Sequence, residues 1–209
     1  MIAKKHSKLK KYGFIAPLLN LHWYIGDNRG TDTILASPGE AEHQNEYDRR
    51  KYAAPHELVH ALNSNLNPQM PLWLNEGTAL YLTNGNPPKH LYSNNTAPTL
   101  AQTDTSNPIE FANMGGYNYA YTYVEFLDQT YGWEQVLSLL KNGDYVAATG
   151  ITKEALYLDW IEFLKSITLE ESKEEANGRD KSRPILFILS PPINSMITIQ
   201  KLFAYHLPA

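Results

Sequence analysis

The sequence contains no cysteine, so disulfides and thiolate metal sites are both excluded and any transition-metal ligand must come from histidine, aspartate or glutamate. The lack of cysteine does not by itself fix a compartment. It also lacks any run of the ~20 apolar residues that a membrane-spanning helix needs. Beyond Lys4, Lys5, Lys8, Lys10 and Lys11 there is no dense basic tract, and a net charge of −4 with a pI near 6.0 gives a phosphate backbone little to bind. Nucleic acid is therefore not an expected partner. The apolar stretch Phe14 to Leu19 follows those lysines as in a secretion signal, but Asn20 and His22 break it early and no small-residue cleavage site follows. The expected compartment is the cytoplasm, with an exported form as the alternative. No internal repeat is present, and 209 residues suit one globular domain with a modest appendage.

The pattern along the chain predicts an α+β fold, with a short N-terminal sheet followed by a mostly helical half. Leu21 to Gly26 and Thr31 to Ser37 read as strands around the turn-rich Gly26 to Gly30. Apolar residues then recur with helical spacing from Glu46 to Leu66 and again from Pro71 to Leu82. Residues 83–114, rich in Asn, Pro, Thr and Gly, read as a long irregular loop. Helices are expected again over Tyr117–Tyr131, Trp133–Lys141 and Thr152–Ser166, and the charged stretch Glu170–Arg183 as a linker or a solvated helix end. The domain is thus expected to span residues 1–168, with 169–209 as a charged linker and an apolar tail of two short segments, Ile185–Leu189 and Met196–Ile199.

Within the first of these helices lies His56-Glu57-Leu58-Val59-His60, the pattern HExxH. Histidines four apart share one helix face, so both imidazoles can reach one ion, and Glu57 projects beside them toward a metal-bound water. An amphipathic helix with surface histidines is the competing reading of five residues. The second helix weighs against it, because Glu76 in Pro71-Leu72-Trp73-Leu74-Asn75-Glu76-Gly77 can fill a third coordination position if the helix folds back on the first. His56, His60 and Glu76 with one open position is the catalytic form of a zinc site, whereas four protein ligands would read as structural.

HELVH together with PLWLNEGTALYL resembles the gluzincin metallopeptidases, and within them the peptidase MA-like group, over roughly residues 30–166. The resemblance implies a zincin-like domain, one Zn2+ per chain held by His56, His60 and Glu76, and hydrolysis of peptide or protein substrates with Glu57 as general base. Two features depart from it. Pro55 directly precedes His56, where it either interrupts a long helix or opens a new one. No counterpart of the amine-gripping Gly-x-Met-Glu-Asn motif lies upstream, which favours an endopeptidase over an aminopeptidase.

Tyr117, Tyr119 and Tyr121 are candidate donors to the oxyanion of a tetrahedral intermediate. Tyr117 is preferred because Tyr117-x-x-Ala120-x-x-Tyr123 is similar to the group's pattern of a tyrosine opening the helix after the loop; ordinary packing is the competing role. Strand Asp32–Ser37 is a candidate edge for extended peptide, or simply a sheet strand. His6, His22, His43, His90 and His206 lack ligand spacing and read as surface or loop residues. From a different class, the alternative function is an inactive zinc-binding relative serving as a binding or scaffold module, but the carboxylate at Glu57 favours the enzyme.

Overall fold

The structure, a computed structural model, describes residues 26–29, 32–35, 53–83, 91–92 and 97–176. Strands β1 (Gly26–Arg29) and β2 (Asp32–Leu35) pair antiparallel, with Gly26 opposite Leu35 and Arg29 opposite Asp32. The expected turn at Gly26 to Gly30 is thus largely strand, and the expected strand ahead of it lies, apart from Gly26, outside the described residues. So do residues 46–52 of the first expected helix and both segments of the apolar tail.

The expected α+β fold is overturned. The described residues are mostly helical, and their strands amount to this one pair of four-residue segments, too small to form a layer. The physical reason lies in where the apolar residues are: among the residues whose burial is described, every buried hydrophobic side chain, from Val59 to Leu164, sits on a helix. The described core is built by helix packing, and the strand pair lies against the first helix.

Among the described residues seven α-helices follow the strands: α1 (Ala53–Leu66), α2 (Leu72–Thr83), α3 (Pro108–Asn113), α4 (Gly116–Tyr131), α5 (Trp133–Asn142), α6 (Tyr145–Thr149) and α7 (Lys153–Ala176). Pro55 lies in the first turn of α1, where a backbone N–H would lack a helical partner anyway, so it does not interrupt the helix through His56 and His60. The expected long loop contains α3, opened by Asn107, whose Oδ1 accepts from the backbone N–H of Ile109 at 3.0 Å, and by Pro108 at the first helical position. Helix α6 was likewise not expected; Asp144 caps it by accepting from Ala147 N–H at 3.0 Å. Helix α7 buries Leu156, Trp160 and Leu164 at four-residue spacing and continues ten residues past Ser166, because the Glu- and Lys-rich segment is a good solvated helix.

Trp73 of α2 is the hinge of the core, meeting Phe111, Tyr123 and Trp160 edge to face at ring separations of 5.8, 6.3 and 5.8 Å. Helix α2 lies closest to α4 at Gly77: a Cβ placed there would stand 2.4 Å from the carbonyl oxygen of Ala120. Further along, Tyr81 of α2 donates to Asp128 Oδ2 of α4 at 2.7 Å and stacks over Trp133. The link between α1 and α2 is held by Asn67, whose side-chain amide donates to the Leu140 carbonyl at 3.0 Å. Helix α2 is thus clamped on both sides of Glu76. Among the described residues no helix is long and apolar enough to cross a membrane.

Candidate metal centre

Helical spacing puts His56 and His60 one turn apart on α1, and their rings meet edge to face at 4.6 Å. The two Nε2 atoms are 3.0 Å apart. Glu76, on the face of α2 turned toward α1, brings Oε2 to 3.4 Å from His56 Nε2 and Oε1 to 3.6 Å from His60 Nε2. One ligand atom from each of the three residues lies within 4.8 Å of the others.

These separations suit a metal ion. Donors about 2.0–2.1 Å from a tetrahedral zinc lie about 3.3 Å from one another, between the shortest and longest values seen here. The donor chemistry agrees. Asn75 Oδ1 can only accept, and it lies 3.0 Å from His60 Nδ1, so that nitrogen carries a proton and leaves Nε2 turned toward His56 and Glu76. Glu76 Oε2 is buried without a hydrogen-bond partner. Nitrogen and carboxylate lone pairs therefore converge on one point, which a cation satisfies and a neutral packing arrangement would avoid.

The protonation of the metal-free site reflects the same convergence. Burial presses the His60 imidazolium toward losing its proton, but the hydrogen bond and charge of Glu76 outweigh it, with smaller help from Asn75 and Glu57, and raise its pKa to about 9. Burial pushes the Glu76 carboxyl up, while the adjacent imidazoles of His56 and His60 pull it down to about 2. Without metal, a proton on His60 supplies the positive charge at this point. Glu57 is 7% exposed and acts electrostatically on His60.

Asn63 and Asn75 form a part of the centre that the motif reading missed. Asn75 Oδ1 accepts from His60 Nδ1–H and also from Asn63 Nδ2–H at 2.9 Å, so the asparagines lock both the ring orientation of His60 and the approach of α2 to α1. The signal was present in the sequence as two amides on otherwise apolar helix faces, one three residues after His60 and the other immediately before Glu76. Replacing Asn75 with alanine is expected to weaken zinc affinity by about 10- to 100-fold. Competition with a chromophoric chelator checks this, and an unchanged affinity would deny Asn75 its positioning role.

The three tyrosines are fixed in different ways. Tyr117, in the first turn of α4, packs edge to face on Phe111 at 5.0 Å. Buried Tyr119 donates to the Leu91 carbonyl at 2.8 Å, and buried Tyr121 lies edge-on to Tyr81 at 5.6 Å. Both are held by these structural ties, Tyr119 within the hydrophobic core. Of the candidate site residues, His56, Glu57, His60 and Glu76 are brought together, while Tyr117 is placed by its aromatic neighbour.

No protein-family model matches the chain, and comparisons with curated proteins and with solved structures find no match. The reading of the centre therefore stands on its residues and their geometry.

Proposed function

We propose that this chain is a zinc-dependent peptidase of the gluzincin type, most simply an endopeptidase. The observation that carries the proposal is the convergence, between α1 and α2, of His56, His60 and Glu76 donor atoms within 4.8 Å, with the buried Glu57 next to His56 on α1. When bound by those three residues, zinc supplies Lewis-acid polarisation of a carbonyl and makes water acidic enough to ionise near pH 7.

The chain's own groups do the rest. Glu57 accepts a proton from the attacking water as the new C–O bond forms, then delivers it to the amine as the C–N bond breaks. Its burial leaves few solvent molecules to compete for that proton. Asn75 holds His60 in the ring orientation that turns Nε2 toward His56 and Glu76, where it would serve as a ligand. The family pattern of a tyrosine opening the helix after the loop, and not a contact with the centre, makes Tyr117 the candidate to donate its hydroxyl hydrogen to the developing oxyanion. Tyr117→Phe is then expected to lower turnover by about ten- to a thousandfold at unchanged zinc content. Unchanged turnover would remove Tyr117 from the machinery.

The activity itself is tested with a denatured protein as substrate for the zinc-loaded chain. Cleavage should stop on chelation and return with added zinc. Absence of cleavage by a chain shown to hold zinc would leave the metal centre standing and overturn the peptidase.

A further inference from the structure

Helix α7 is apolar on more than one side. Leu156, Trp160 and Leu164 are fully buried in the core. Leu169 follows Trp160 by about two and a half turns and so points the other way, and Leu158 lies about three turns before Leu169 on that same outward face. These two leucines are 62% and 60% exposed. Between them stand Glu162 and Lys165, joined at 2.6 Å and themselves largely in solvent. Half-buried Ala155 and exposed Ser172 continue the stripe at its two ends. Positions 155, 158, 162, 165, 169 and 172 are spaced alternately by three and four, the period that keeps one helix face against a partner helix along its length.

Exposed leucines are ordinary when scattered, but the order of this stripe is not. From either end it reads small residue, leucine, charge, opposite charge, leucine, small residue, with its midpoint between Phe163 and Leu164. A second α7 laid antiparallel about that midpoint sets Leu158 against the second copy's Leu169, Glu162 against its Lys165 and Ala155 against its Ser172. Each contact then occurs twice, as a two-fold axis requires. Parallel pairing would instead set Glu162 on Glu162 and Lys165 on Lys165, and like charges placed together oppose association.

We propose that the outward face of α7 is a homodimer interface, on which two copies of this chain pack their α7 helices antiparallel about the midpoint between Phe163 and Leu164. The leucines contribute apolar burial at both ends of the contact. The Glu162–Lys165 pair of each copy becomes half of a four-charge network, which sets direction and register more than it adds affinity. From Ala155 to Ser172 the face is about 25 Å long and one helix wide. That is the lower end of specific interfaces, so the dimer forms and separates with protein concentration, with a Kd of about 1–100 µM. The interface requires neither the metal nor the peptidase activity.

Sedimentation velocity of the full chain between about 1 and 300 µM should show monomer giving way to dimer. Glu162→Lys and Lys165→Glu change exposed positions, and circular dichroism should find both folded. Each should raise the dimer Kd by about tenfold or more, because each brings like charges together at the centre of the contact. Mixed with one another, the two variants should associate about as tightly as the parent, since lysine again meets glutamate in every central layer. The chain has no native cysteine, so direction can be read by oxidation. Leu158→Cys and Leu169→Cys chains should cross-link to each other, whereas two Leu158→Cys chains should not, because antiparallel packing holds their position 158 about 16 Å apart. A parent that stays monomeric at about 300 µM overturns the proposal; if Leu158→Glu then lowers its Tm, the face serves the chain's own apolar tail instead. Dimerisation that neither charge variant weakens, a mixture no tighter than its components, or cross-linking of Leu158→Cys with itself would each overturn it as well.

Discussion

Glu57→Gln is expected to lower peptide cleavage by about a thousandfold while zinc binding stays intact. Glutamine keeps the shape of glutamate in a position that is 7% exposed, so the packing of α1 changes little. It cannot accept the proton of the attacking water or return it to the leaving amine. The three ligand side chains are untouched, and the zinc content should remain that of the parent. Single-turnover cleavage of a quenched peptide, measured beside metal content, separates the two effects. A Glu57→Gln chain that holds zinc and cleaves at the parental rate would remove Glu57 as general base. Loss of zinc along with activity would instead assign Glu57 to the support of the metal.

The second large effect concerns a residue with no side chain. Gly77 follows Glu76 and lies against α4 so closely that an added Cβ would meet Ala120 O at 2.4 Å, Val124 Cγ2 at 2.9 Å and Ala120 C at 3.0 Å. Val124 can turn away, but the backbone of Ala120, in the middle of α4, cannot. Gly77→Ala must therefore push α2 and α4 apart at the point that sets the depth of Glu76. Overpacking of this kind is expected to destabilise the fold by about 3 kcal/mol and lower Tm by about 10 °C. Because Glu76 moves with α2, zinc affinity should fall as well, and added zinc should raise Tm less than in the parent. A thermal scan with and without zinc checks both expectations; an unchanged Tm would show that α2 and α4 have slack at this crossing.

What was legible in the sequence follows from the range of the interactions concerned. His56 and His60 are related by a single helical turn, and local periodicity is enough to place them on one face. Glu76 required one further step, the folding back of α2 through residues 67–71, and the convergence of the three donors agrees with that step. The tie from Asn63 to Asn75 depends on the register of one helix against another, which no spacing within either helix reveals. The close approach at Gly77 has the same origin, since its partner Ala120 lies on a helix much further along the chain.

The misreadings have local causes. Gly26 to Arg29 carries the turn-forming residues Gly, Asp and Asn, yet it forms a strand because its backbone pairs with Asp32–Leu35. Two short segments around a turn-rich stretch near the N-terminus suggested a sheet, but the large buried side chains that are described belong to helices, and these decide the class of fold. The short helices α3 and α6, of six and five residues, are too brief to show a helical period, although Asn107-Pro108 and Asp144 are ordinary helix-opening residues. The charged stretch from Glu170 was open between a linker and a solvated helix end, and its described part, to Ala176, is the helix end: solvation and the helix preference of Glu and Lys carry α7 on.

The central claim is that His56, His60 and Glu76 together hold one zinc ion, and metal content measures it most directly. After incubation with zinc and exhaustive dialysis, elemental analysis should find one zinc per parental chain and almost none in a folded His56→Ala/His60→Ala variant, with folding verified by circular dichroism. A parental chain that retains no zinc, or a double variant that retains as much as the parent, would contradict the account.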